Sequence, residues 1–180
     1  MAYEAPALGT AGQVYTAAAH NIIVNDVIAL RSNPMVKAIR SSTFAISSGA
    51  LTVGPVALEW NAVSAPGFDN DTMWTVGSPT RLTVVTAGVY LVTLFVQPGY
   101  SADPGRFRQT IAVKPSGTEK TIGSINTNMS TANGPDIRVS AIWDAAIGDY
   151  FLAYVGPTLA VTATVTTNSY FSAVMLGKTS

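Results

Sequence analysis

Histidine occurs once in this chain, as His20, and cysteine not at all. A Ser–His–Asp or Cys–His arrangement needs an imidazole within hydrogen-bond reach of its nucleophile. A zinc site needs thiolates or several imidazoles. One histidine near the N-terminus supplies neither, and its expected role is structural. Asp69 and Asp71 flank Asn70. That triplet offers oxygen ligands to calcium or paired carboxylates for acid–base work; beside Gly67 it also reads as a solvated turn. Glu59-Trp60 and the run Asp71 to Trp74 set carboxylates beside indoles, which suggests sugar stacking, although aromatics flanking a strand more often serve as core or interface. Arg106 and Arg108 alternate along one side of a strand, as an exposed or inter-subunit pair. No glycine-rich phosphate loop is present. The expectation is a protein that is not an enzyme, with no cofactor and no metal.

Composition sets the frame in which those residues sit. Of 180 residues, 48% are apolar and only 11% charged, where about a quarter is usual. So few charges leave little surface suited to water, which favours burial between subunits. The net charge is zero and the Lys and Arg residues are scattered, so neither nucleic acid nor a membrane surface is an expected partner. No apolar run approaches the roughly 18 residues needed to span a bilayer. No basic stretch followed by an apolar run marks a signal peptide. The absence of cysteine suits assembly in a reducing cytoplasm.

The central stretch is Gly88-Val89-Tyr90-Leu91-Val92-Thr93-Leu94-Phe95-Val96, bounded by Thr86-Ala87-Gly88 and Gln97-Pro98-Gly99. Its length and its β-branched, aromatic and Leu content predict a strand. Val89, Leu91, Thr93 and Phe95 share one face; Tyr90, Val92, Leu94 and Val96 share the other. A strand wetted on one side would alternate apolar and polar, and this one does not. One face is therefore expected in a β-sandwich core and the other against another copy of the chain. Tyr90, Val92 and Leu94 are the expected trimer-interface residues.

In chain order, residues 1–34 are expected to form an extended arm and an anchoring helix. Thr16 can cap it; Ile23, Val27 and Leu30 form its apolar stripe, and Ser32-Asn33-Pro34 ends it. Residues 35–180 are expected to be an all-β head. Its strand candidates are 36–46, 55–60, 72–76, 81–85, 88–97, 106–114, 119–126, 136–143, 149–156, 160–166 and 169–177, and Gly, Pro, Asn and Asp clusters separate most of them. Such spacing predicts a sandwich or barrel. The connections at 86–88, 115–118 and 144–148 are short, while those at 98–105 and 127–135 are long. If 61–71 joins the long ones, the candidate recognition loops carry Phe68, Asp69, Asp71, Trp74, Tyr100, Asp103, Asn128 and Asn133 at one distal end.

Gly88-Val89-Tyr90, preceded by Pro79-Thr80-Arg81-Leu82-Thr83-Val84 and by Trp74, resembles the G-x-Y signature of the complement-type globular head, a tumour-necrosis-factor-like jelly roll. Gly148-Asp149-Tyr150-Phe151-Leu152 is similar to that family's late "G-D" strand, and Ser169 to Gly177 to its closing strand. Val92 and Leu94 stand where the family often carries aromatics, and Leu82 where Phe is usual. Thr10 to Asn21, followed by a short helix, resembles the opening of small bacteriophage tail and virion proteins. The resemblance implies a jelly-roll sandwich and a homotrimer held in the virion, after assembly in the host cytoplasm, through its N-terminal arm and helix. It implies a minor tail protein of tail-tip or fibre type, displaying its head for host attachment. The alternatives are a capsid decoration or head-fibre protein, and an adhesin module that binds a host-surface glycan or protein.

Overall fold

The computed structural model describes residues 33–46, 56–64, 68–100, 102, 105–129, 136–159 and 161–178. The expected anchor helix with Ile23, Val27 and Leu30, and the loop residues Asp103 and Asn133, lie outside the described residues. The strands belong to one unit, Pro34–Thr179. They are β1 (Met35–Ile39), β2 (Phe44–Ile46), β3 (Val56–Ala57), β4 (Ala62–Val63), β5 (Arg81–Thr83), β6 (Gly88–Val96) and β7 (Pro98–Tyr100). There follow β8 (Gly105–Lys114), β9 (Lys120–Met129), β10 (Ile137–Ala145), β11 (Tyr150–Pro157), β12 (Ala163–Val165) and β13 (Tyr170–Gly177).

All pairings of these strands are antiparallel. The main sheet runs β10-β6-β13-β1-β4, and the opposing sheet β3-β11-β8-β9, with β5 on the same side of β11 as β3. A small third sheet, β2-β12-β7, extends one end. The architecture is the expected all-β jelly roll.

β6 decides how the two large sheets face each other. Its residues alternate between buried and half-exposed along all nine positions. Tyr90, Val92, Leu94 and Val96 are 0% exposed within one chain. They lie in the core with Phe107, Ile111 and Val113 of β8 and Phe151, Ala153 and Val155 of β11. Tyr90 packs on Phe151 at 5.9 Å between ring centroids, and Trp60 stacks on Phe171 at 5.9 Å. Tyr90, Val92 and Leu94 therefore cannot meet a sister subunit, and their expected interface role is corrected. The period of two showed which residues share a face. Because both faces are apolar, it did not show which face turns inward; the aromatic partners on β11 decide that.

Three strand expectations change for local reasons. The 36–46 candidate breaks after Ile39, where Arg40 turns inward and is almost wholly buried. Its guanidinium donates to the Ser42 and Glu59 carbonyls and lies over the Phe44 ring. Burial lowers its pKa below the ordinary value, and the nearby Glu59 charge offsets part of that. The 72–76 candidate is no strand, because the Asp69 carboxylate takes the backbone amides of Met73 and Trp74 at 2.7 and 3.0 Å. The expected loop at 98–105 begins instead as a strand, β7, hydrogen-bonded to β12.

Gly88 opens β6 where the chain ends of the sheet converge. A Cβ there would stand 2.5 Å from the Gly177 carbonyl oxygen and 2.8 Å from Met175 Sδ. Backbone cannot retreat as a side chain can. Gly88→Ala is expected to cost about 1–3 kcal/mol, read as a lower urea midpoint. Gly77→Ala, with nothing within 4 Å of its Cβ position, should leave the midpoint nearly unchanged.

Candidate functional site

The outer face of the main sheet is built as three rows in register. Met35, Val174, Leu91 and Ile142 align across β1, β13, β6 and β10. Ile142 is 64% exposed and Val174 39%, and Leu176, further along β13, is 53% exposed. The next row is Lys37, Ser172, Thr93 and Ser140, with the Thr93 and Ser140 hydroxyls 2.9 Å apart. The third is Ile39, Tyr170, Phe95 and Arg138. Phe95 and Tyr170 stack at 5.2 Å, with Arg138 over the first ring and Lys37 over the second. Single exposed aliphatics are ordinary; a contiguous apolar row with Ile142 and Val174 exposed is a candidate interaction surface. Ile142 was the sequence signal for this face: it interrupts the polar side of β10 that carries Arg138, Ser140 and Asp144.

The candidate recognition residues fall at two opposite ends. Ala62 and Val63 of β4 pair with Ile39 and Ala38, and Asp69 bridges to Val36. The Phe68 carbonyl accepts from the Lys37 amide. The connection containing residues 61–71 thus leads from one end of β1 to the other as an interrupted edge, rather than as a loop at one end. Phe68, Asp69, Asp71 and Trp74 consequently sit near the 86–88 turn, where β1 begins and β13 ends. Tyr100 and Asn128 sit at the far end, with Phe107 and Arg106. The single distal loop cluster is therefore corrected.

At the first end, Asp69 spends both carboxylate oxygens on backbone amides. Between them Thr72 is held at a φ of 54°, a left-handed conformation uncommon for a β-branched residue. Asn70 Oδ1 accepts from the Met35 amide. The triplet thus holds the chain in place. Asp71 Oδ2 and Trp74 Nε1 are enclosed without hydrogen-bond partners. Burial, with the Asp71 charge adding to it, pushes the Tyr90 phenol up to about 12, and its hydroxyl donates to the Thr86 carbonyl at 2.6 Å. At the other end, Tyr100 packs edge-on against Phe107 at 5.7 Å. Its enclosed hydroxyl has no partner, and burial raises its pKa strongly. Among the described residues, no three His, Cys, Asp or Glu side chains converge on a point. No helix among them is long and apolar enough to cross a membrane.

The sequence matches no protein-family profile and no curated protein. The fold has clear relatives among solved structures. Murine APRIL superposes with a TM-score of 0.55 at 11% identity, covering 80% of this chain and 99% of that one. The globular domain of zebrafish complement 1qA gives 0.54 at 12%, covering 82% and 99%. Eiger TNF from S. frugiperda gives 0.54 at 18%, covering 83% and 96%. The chain therefore has the jelly-roll fold shared by tumour-necrosis-factor-like and complement globular heads. At these identities the likeness is one of fold.

Tyr90 links the core to pH. Its phenol ionises near 10.0 when unfolded and about 12 when folded. Between those values the unfolded chain sheds a proton that the native chain keeps, so stability falls as pH rises through the window. Below pH 10 this contribution is fully present. Tyr90→Phe should cost about 1 kcal/mol at neutral pH through the lost hydrogen bond, and should flatten the alkaline decline in urea midpoint. An unchanged slope would contradict the assignment.

Proposed function

We propose that this chain is the head of a non-enzymatic, homotrimeric structural protein of a phage particle, a tail-tip or fibre-type component that presents its jelly roll to the host. The observation that carries the trimer is the aliphatic row Met35, Val174, Leu91 and Ile142. Fully burying a large apolar side chain contributes roughly 1.5–3 kcal/mol, and the row recurs on each copy. Its hydroxyl and cation-capped aromatic neighbours supply polar groups for a rim around it. The low charge content of the chain points the same way.

The virion assignment is supported by the likeness of Thr10 to Asn21 to phage virion proteins. The head receives its chain at Pro34 and β1 and ends β13 at the same end, where the Met175 amide donates to the Pro34 carbonyl. At the opposite end lie Tyr100 of β7 and Asn128 of β9, and among the described residues neither β1 begins nor β13 ends there. It is the end suited to outward display. Non-enzymatic function is supported by the residue types: the Asp69 carboxylate is committed to the backbone, and the chain has a single histidine.

Native mass spectrometry of the wild-type protein should give a trimer. Leu91→Asp with Ile142→Asp should yield a folded monomer, whereas Tyr90→Asp should unfold the chain, since Tyr90 lies in the core. A well-folded wild-type monomer at micromolar concentration would overturn the trimer. Purified virions should contain the chain in multiples of three, with antibody label at the tail tip. Label on the capsid would make it a decoration protein, and absence from the particle would end the virion reading.

A further inference from the structure

The outer face of the second sheet carries a feature that neither trimer nor core uses. Arg106 and Arg108 project from the same side of β8, about 7 Å apart along the strand. Across the pairing with β9 they face Asn128 and Asn126, and the next pair is Thr110 with Ser124. Both arginines are exposed, as are Ser124, Asn126 and Asn128. Arg106 Nε donates to Asn128 Oδ1 at 3.1 Å, and Arg108 Nε to Ser124 Oγ at 3.4 Å. Each guanidinium is thereby oriented by a neutral neighbour, and neither is neutralised by a carboxylate among the described residues. The acid just before β9, Glu119, is taken up by the Tyr154 hydroxyl at 2.9 Å.

The other described arginines are differently engaged. Arg40, Arg81 and Arg138 each lie over an aromatic ring. Arg106 and Arg108 do not; they stand in a flat field of amides and hydroxyls. An oriented guanidinium with unused N–H groups binds a carboxylate with two parallel bonds. Amide and hydroxyl side chains supply both donors and acceptors, which is what sugar hydroxyls require.

We infer that the β8–β9 face, centred on Arg106 and Arg108, binds an acidic polysaccharide bearing carboxylates along its chain. A polynucleotide fits less well. Two cations on a chain of zero net charge displace few counterions. The aromatics on this face are already engaged: Tyr154, in register with Thr110, is tied through its hydroxyl to Glu119, and Tyr150 is covered by Arg81 and Lys114, which leaves no free platform for stacking bases among the described residues. The inference deepens the host-contact part of the reading above by naming a ligand chemistry. It concerns the surface of one chain, so it does not depend on the trimer.

The test is biolayer interferometry of the full-length protein on immobilised polygalacturonate, with dextran and polycytidylate as comparison surfaces. Binding to polygalacturonate is expected, weakening with added salt, and none to dextran. Arg106→Gln with Arg108→Gln should lower affinity tenfold or more, while Arg81→Gln, at the other end of the sheet, should not. Native mass and thermal melting of each variant separate loss of this face from loss of the trimer or of the fold. Failure of the wild type to bind, undiminished binding by the double variant, or equally tight binding of polycytidylate would each overturn the inference.

Discussion

A strand that is apolar on both faces has to be covered twice, and β6 is such a strand at the centre of the main sheet. Its inner residues share the core with those of β8 and β11, with Tyr90 packed against Phe151 across the two sheets. Its outer residues are covered within the chain only by their neighbours along each row. Where those neighbours are aromatic, as with Phe95 and Tyr170, the row partly covers itself by stacking and by cations over the rings. Where they are aliphatic, as with Leu91, Val174 and Ile142, nothing among the described residues covers the row. The apolar surface left open is thus concentrated on one band of the sheet rather than spread over it.

The strands were largely legible because the turns are written in Gly, Pro, Asn and Asp, and a short β-branched run between two such turns has few other options. The orientation of β6 was not legible, since a period of two is symmetric between faces and only a polarity difference breaks the symmetry. The register that brings Tyr90 to Phe151 comes from residues more than sixty positions away. Residues 72–76 failed for the opposite reason. Their composition suited a strand, but the Asp69 carboxylate, four and five residues upstream, captured the Met73 and Trp74 amides, and a local side-chain bond overrode the propensity. The Arg40 bend is a similar case, in which one buried guanidinium holds carbonyls that a continuous strand would have paired.

The candidate loops divide between the two ends of the sandwich because one connection passes from one end to the other. Assigning connections to alternate ends works when each one stays at its own end, as 86–88 and 144–148 do. The 61–71 connection leads instead along the edge of β1, pairing with it at Ala62–Val63 and again at Asp69. Weak edge pairing of this kind leaves little trace in composition, because an edge position accepts Ser, Asn and Asp as readily as a loop does. Its effect on the candidate site is direct: Asp69 is committed to the backbone at the end where β1 begins, away from Tyr100 and Asn128.

Charge is scarce in this chain, so where each cation goes is informative. Arg40 is buried over the Phe44 ring with its guanidinium on two carbonyls; Lys37, Arg81, Lys114 and Arg138 also lie over aromatic rings, where their stems cover apolar surface. In those positions a cation serves packing, and another group of similar shape would serve nearly as well. Arg106 and Arg108 cover no ring. Their side chains lie over small polar residues, so they add little to the core, and two adjacent guanidiniums that no carboxylate among the described residues neutralises carry an electrostatic cost. Stability does not explain keeping them there, while an anionic ligand on that face would.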